Sequence, residues 1–125
     1  MRFTYNKEEK VKSRKLIEYL FSKGKSISAF PVKVLYDFVE DDTSVPLQAG
    51  VTTSSRNFKK AIERNRVKRI LREAYRLQKL PLQQHLKEQN RSLALFFIYT
   101  GKELPVFAEV YERMGIILQK LLGDI

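Results

Sequence analysis

The sequence predicts an α/β (α+β) two-layer sandwich, a single domain spanning residues 1–125, with elements in the order α-β-β-α-β-α. Three observations lead there. Apolar residues recur at helical spacing near both ends and in the middle of the chain; they alternate with period two across residues 30–39 and 47–53; and they run almost unbroken from Ser92 to Tyr99. A chain of 125 residues can bury roughly two-thirds of the surface its unfolded form exposes, which suffices for one core without staples.

Ser13 suits the N-cap of a first helix that presents Leu16, Ile17, Leu20 and Phe21 on one side. Gly24 is its expected stop, where a left-handed backbone is tolerated. The next strand puts Val32, Val34, Tyr36 and Phe38 on one face and Lys33, Leu35, Asp37 and Val39 on the other. Residues 40–46 read as a solvated turn, so the strand and its successor at 47–53 are expected to pair as an antiparallel hairpin. Glu40, Asp41 and Asp42 beside Thr43 and Ser44 fit that turn better than a Mg²⁺ site.

A long helix begins between Asn57 and Ile62 and ends before Pro81, with Val67, Ile70, Leu71, Ala74 and Leu77 on its apolar face. Residues 81–91 form a polar connector with room for another helical turn. The strand at 92–99 is apolar enough to be buried on both faces. Val106, Phe107, Val110, Met114, Ile117, Leu118, Leu121 and Leu122 then mark a final helix. No internal repeat or low-complexity tail is visible.

Composition narrows the class of function. The chain has no cysteine, which removes disulfides and thiolate metal sites and is compatible with a reducing cytosol. No secretory signal is evident, and the longest apolar run, residues 93–99, is far below the roughly 18 needed to span a bilayer, so a cytoplasmic protein without a membrane partner is expected. His85 is the one histidine and sits in the polar connector; there is no Gly-rich phosphate loop, zinc spacing or nucleophile elbow. The chain's own side chains therefore offer no catalytic set and no metal site.

Charge is concentrated instead. Between residues 56 and 76, Arg56, Lys59, Lys60, Arg64, Arg66, Lys68, Arg69, Arg72 and Arg76 face only Glu63 and Glu73, so this stretch supplies +7 of the net +10. On a helix, Asn65, Lys68, Arg69, Arg72 and Arg76 share an arc of roughly 100° opposite the apolar face, flanked by Arg64 and Arg66. An ordinary solvated face mixes signs, whereas Lys68/Arg72 and Arg72/Arg76 are like-charge pairs at i, i+4 that cost a few tenths of a kcal/mol each. A polyanionic partner accounts for the pattern. Arginine's planar fork matches phosphate oxygens and stacks on bases, and Asn65 can donate and accept on sugar or base edges, which points to nucleic acid, RNA before DNA.

The residues at 61–76, from Ala61-Ile62-Glu63-Arg64-Asn65-Arg66-Val67-Lys68-Arg69 through Ile70-Leu71-Arg72-Glu73-Ala74-Tyr75-Arg76, resemble the signature of the protein subunit of bacterial ribonuclease P. The similarity extends to Gly50-Val51, to the loop Arg56-Asn57-Phe58-Lys59-Lys60 and to the first helix with Ile17 and Phe21 ahead of Lys23-Gly24-Lys25. It covers the chain from about Lys10 to Leu122.

The resemblance implies a left-handed β-α-β crossover through the basic helix, where pattern alone would favour a right-handed one. It implies a protein that binds a catalytic RNA, the pair removing the 5′ leader of precursor tRNA by hydrolysis of one phosphodiester bond. Mg²⁺ is then held mainly by the RNA, and no protein-bound cofactor and no obligate protein partner are expected. The implied RNA-binding set is Arg56, Lys59, Lys60, Arg64, Asn65, Arg66, Lys68, Arg69, Arg72 and Arg76. A cleft between the first helix and the sheet is implied for the substrate leader, with Lys10, Lys12, Ile17, Phe21 and Tyr36 mapping to it. Ile17 stands where the family usually has an aromatic, and Phe58 or Lys59 falls near a position often held by glycine. The rival readings are a non-enzymatic RNA-binding module of ribosomal-protein type and, more remotely, a DNA-binding regulator.

Overall fold

Strand β4, Ser92–Tyr99, carries the apolar run through the centre of the computed structural model, which describes residues 14–39 and 46–125. Leu93 to Phe97 are all buried, because β4 has a neighbour on each edge. Strand β2, Val32–Val39, pairs with it antiparallel on one side, and strand β3, Leu47–Thr53, pairs parallel on the other. A short strand β1, Lys25–Ala29, adds antiparallel to the outer edge of β2, so the order across the sheet is β1-β2-β4-β3.

This order corrects the expected hairpin. β2 and β3 are successive in the chain but do not pair; β4 lies between them, with Leu35 and Gly50 both opposite Phe96. A strand apolar on both faces loses least when both its edges and both its faces are covered, and only an interior position provides that. The more polar Leu47–Thr53, with Gln48 and Thr52 half-buried, takes the edge.

The sheet's larger core lies on the face that carries Val32, Val34, Tyr36, Leu47, Ala49, Leu93, Leu95, Phe97 and Tyr99. Helices α2 (Ala61–Gln78), α3 (Leu80–Gln89) and α4 (Phe107–Asp124) cover it, and these form the two main layers of the sandwich. Helix α1, Arg14–Lys23, sits on the opposite face, where Leu20 packs with Leu35, Ala94 and Phe96, and Leu16, Ile17, Val39 and Ile98 border them. Tyr19 ties α1 to β2 by donating from its hydroxyl to Asp37 Oδ2 at 2.8 Å.

The helix ends follow local chemistry. Gly24 closes α1 through its N–H to Leu20 O at 3.1 Å, without the left-handed backbone expected of it; no glycine among the described residues has positive φ. Its small size is required sterically, since a Cβ there would lie 2.5 Å from Leu20 O. Ser13, the expected cap, lies outside the described residues. α2 stops two residues before Leu80-Pro81, and Pro81 then occupies the first turn of α3, where its missing N–H has no helical acceptor to lose. The connector thus holds a full helix rather than a single turn. Leu82 and Leu86, four apart and buried, anchor it, and Asn90 in the left-handed conformation ends it with its N–H on Leu86 O and Lys87 O. β1 also went unanticipated, because Lys25-Ser26-Ile27-Ser28-Ala29 offers just two apolar residues to an alternation.

Candidate nucleic-acid interface

The loop of residues 54–60 delivers the chain from the edge strand β3 into α2, and a set of local contacts holds it. Phe58 is buried at 3% exposure, its ring 6.0 Å from that of Tyr99, and its N–H reaches back to Ser54 O at 3.1 Å. Asn57 Nδ2 donates to Gly101 O at 3.3 Å, and the Arg56 N–H donates to Ser54 Oγ at 3.1 Å. Neither Phe58 nor Lys59 has positive φ despite the family's frequent glycine nearby; among the described residues, Asn90 is the sole non-glycine with positive φ. Arg56, Lys59 and Lys60 are left exposed on the rim of this loop.

α2 continues the same cationic surface. Val67, Leu71, Ala74 and Tyr75 are its buried residues, so the inner face is turned toward Tyr75 and away from the expected Leu77, which is 36% exposed. Tyr75 gains more than Leu77 would from the position, because its ring lies 5.5 Å from Phe97 in the central strand. The opposite arc presents Asn65, Arg69 and Arg72 exposed, with Lys68 half-buried and Arg66 exposed on one flank.

Two of the ten predicted cationic or amide positions differ from the rest. Arg76 is paired with Glu73 one turn back: its Nε donates to Oε2 at 3.3 Å and its Nη2 to Oε1. The hydrogen bond from Arg76 holds the Glu73 carboxyl below the usual carboxylate range, and the same bond raises Arg76. The half-buried Arg64 turns inward to the loop, where Nη1 donates to Phe58 O and Lys59 O, each at 2.8 Å.

The predicted leader set does not come together as expected. Ile17 is half-buried and Phe21 is 56% exposed on α1, with the Phe21 ring edge-on to Phe96. Tyr36 is on the other side of the sheet, 6% exposed within the larger core, so it lines no cleft beside α1. Alternation is the reason: the α1 side of β2 carries the odd-numbered residues, Lys33, Leu35, Asp37 and Val39. Lys10 and Lys12 lie outside the described residues. The residue that sequence reasoning missed is Phe96, which forms the floor under Phe21; its signal was the double-sided apolar pattern of β4. Among the described residues, no three His, Cys, Asp or Glu side chains gather as a metal set, and no helix is long and apolar enough to cross a membrane.

Comparison with known proteins places this geometry. The sequence profile of the family described as Ribonuclease P matches residues 5–122. The ribonuclease P protein component of Porphyromonas gingivalis is 32% identical over 123 residues, covering 98% of this chain and 90% of that protein. That of Borrelia turicatae is 37% identical over 96 residues, covering 77% of this chain and 75% of its own length. The structure of the Staphylococcus aureus RNase P protein superposes with a TM-score of 0.65 over 90% of this chain and 94% of that one; at 14% identity this likeness speaks to the fold. With nearly its whole length matched by the profile and by close relatives, the chain belongs to the ribonuclease P protein family.

Proposed function

We propose that this protein is the RNA-binding component of a ribonuclease P ribonucleoprotein, acting with the ribonuclease P RNA to remove the 5′ leader of precursor tRNA in the cytoplasm. The observation that carries the reading is the continuous cationic surface formed by Arg56, Lys59 and Lys60 on the loop and Asn65, Arg66, Lys68, Arg69 and Arg72 on α2. Such a surface gathers phosphates, displaces their counterions and so lowers the Mg²⁺ needed to fold and dock the RNA.

The catalytic groups, with their Mg²⁺, belong in this reading to the RNA. The protein's part is to bind and orient. The α1 face, with Phe21 over Phe96, supplies an apolar platform on which a single-stranded leader base can stack. A base has a π-face whatever its identity, so such a platform accepts leaders of differing sequence.

Reconstitution tests the proposal. Adding the protein to a bacterial ribonuclease P RNA and a precursor tRNA at low Mg²⁺ is expected to restore cleavage at the mature 5′ end. Tight RNA binding without stimulation of cleavage would instead indicate an RNA-binding module of ribosomal-protein type.

A further inference from the structure

Arg64 belongs by sequence to the cationic face, yet Nη1 of its guanidinium is engaged within the protein. The α2 N-cap is Lys60, in extended conformation, and no side chain among the described residues caps it. Arg64 lies four residues further on, and helical side chains lean toward the N-terminus, so its side chain reaches back over the first turn. There Nη1 bridges Phe58 O and Lys59 O, both at 2.8 Å, with a charged donor on two neighbouring carbonyls. The other loop contacts, Phe58 on Tyr99 and Asn57 on Gly101 O, hold its inner side. Among the described residues, Arg64 supplies the side-chain contact to the carbonyls of Phe58 and Lys59, while Lys60 O is held by the first-turn amides of Glu63 and Arg64.

We infer that Arg64 is a positioning residue: it fixes the loop backbone from which Lys59 and Lys60 reach RNA phosphates, and makes no phosphate contact of its own. This rests on the proposed function, in which that surface docks on RNA. Ordering a loop at the moment of binding weakens association; a loop backbone already held avoids that loss.

The experiment uses the full chain with ribonuclease P RNA over a salt series, comparing Arg64→Ala, the Lys59→Ala/Lys60→Ala pair and the triple variant. A positioning role predicts that Arg64→Ala weakens binding about 3–10-fold at fixed salt while leaving the slope of log K against log[salt] nearly unchanged. It also predicts no further loss when Arg64→Ala is added to the lysine-free pair. A direct phosphate contact would lower the slope by roughly 0.7–0.9 and act additively, and either result would overturn the inference. So would an unaltered affinity, or a loss that persists without the lysines.

In the free protein, hydrogen exchange at the Phe58 amide, now bonded to Ser54 O, should quicken in Arg64→Ala; unchanged exchange would count against the brace. That readout needs no RNA, so it separates failure of this inference from failure of the functional reading, which wild-type protein tests by stimulating cleavage. Arg64→Gln, which removes the charge but keeps two of the three methylenes, serves the same comparisons should the alanine variant not fold.

Discussion

Phe21 meets Phe96 edge to face, with ring centroids 5.5 Å apart and an interplanar angle of 69°. The partners are unequal: Phe96 is 8% exposed and Phe21 56%. An exposed ring resting on a buried one contributes little to the core and leaves a face open for a base. Phe21→Ala is therefore expected to cost only about 0.5–1.5 kcal/mol of stability but about 1–3 kcal/mol of affinity for a precursor with a leader. Comparing binding of precursor and mature tRNA by the reconstituted complex checks this; an equal loss for both would remove Phe21 from the leader path.

Tyr36→Ala should behave differently from what its place in the sequence suggests. Its ring is buried among the core residues under α4, so truncation is expected to cost about 3–5 kcal/mol as a cavity. Thermal unfolding should show a large drop in midpoint. Any protein that remains folded should discriminate leader-bearing from leader-free substrates as the wild type does.

The same burial makes Tyr36 a late-titrating phenol. Its pKa is raised, first by loss of solvent and then by the charges of Asp124 and Asp37, and Tyr99 is raised by burial and by Glu109 and Glu103. A folded-state pKa above the unfolded one gives stability that is whole below the ordinary phenol range and is lost as pH rises through the raised value. Ultraviolet titration should show these two phenols ionising above the ordinary phenol range, with alkaline unfolding accompanying them. Tyr36→Phe should delete one of the two.

On the cationic face, Arg69→Ala or Arg72→Ala is expected to weaken assembly with the RNA and to reduce the salt slope by roughly 0.7–0.9 each. Arg76→Ala should cost less, because Arg76 is already paired with Glu73. Glu73→Gln should then strengthen RNA binding by removing a negative charge from this face.

Glu73 also sets an acid-side response. Its carboxyl is held low by the bond from Arg76, so the stability it contributes is present above the ordinary carboxylate range and fades as pH falls through its lowered value. The pair is partly exposed to solvent, so the effect is small. Glu73→Gln should flatten the acid limb of a melting-temperature profile slightly, and a steeper limb would contradict the assignment.

Much of this molecule could be read from local pattern, because the pattern reports local physics. The basic helix was legible with its start between Asn57 and Ile62 and its end before Pro81, and it runs from Ala61 to Gln78. β4 declared itself buried on both faces. β1 and α3 were harder, because two apolar residues in five, or Leu82 and Leu86 alone, are too few to define a period.

The sequence by itself determined the family, the types of the six longer-patterned elements, the cationic arc of α2 and the two alternating faces of β2. Which face of β2 meets α1 was decided only by the fold, since alternation distinguishes two sides without assigning either a neighbour. Tyr36 was misplaced for that reason, and Phe96 emerged for the same one. Tertiary structure also decided that β4 separates β2 from β3, because pairing partners are chosen by total burial across the sheet rather than by adjacency in the chain. The division of the arginines is a further case: Arg64 to the loop carbonyls, Arg76 to Glu73, and Arg69 and Arg72 to the surface. Identical side chains acquire different tasks when the backbone places acceptors within reach of some and solvent beside others.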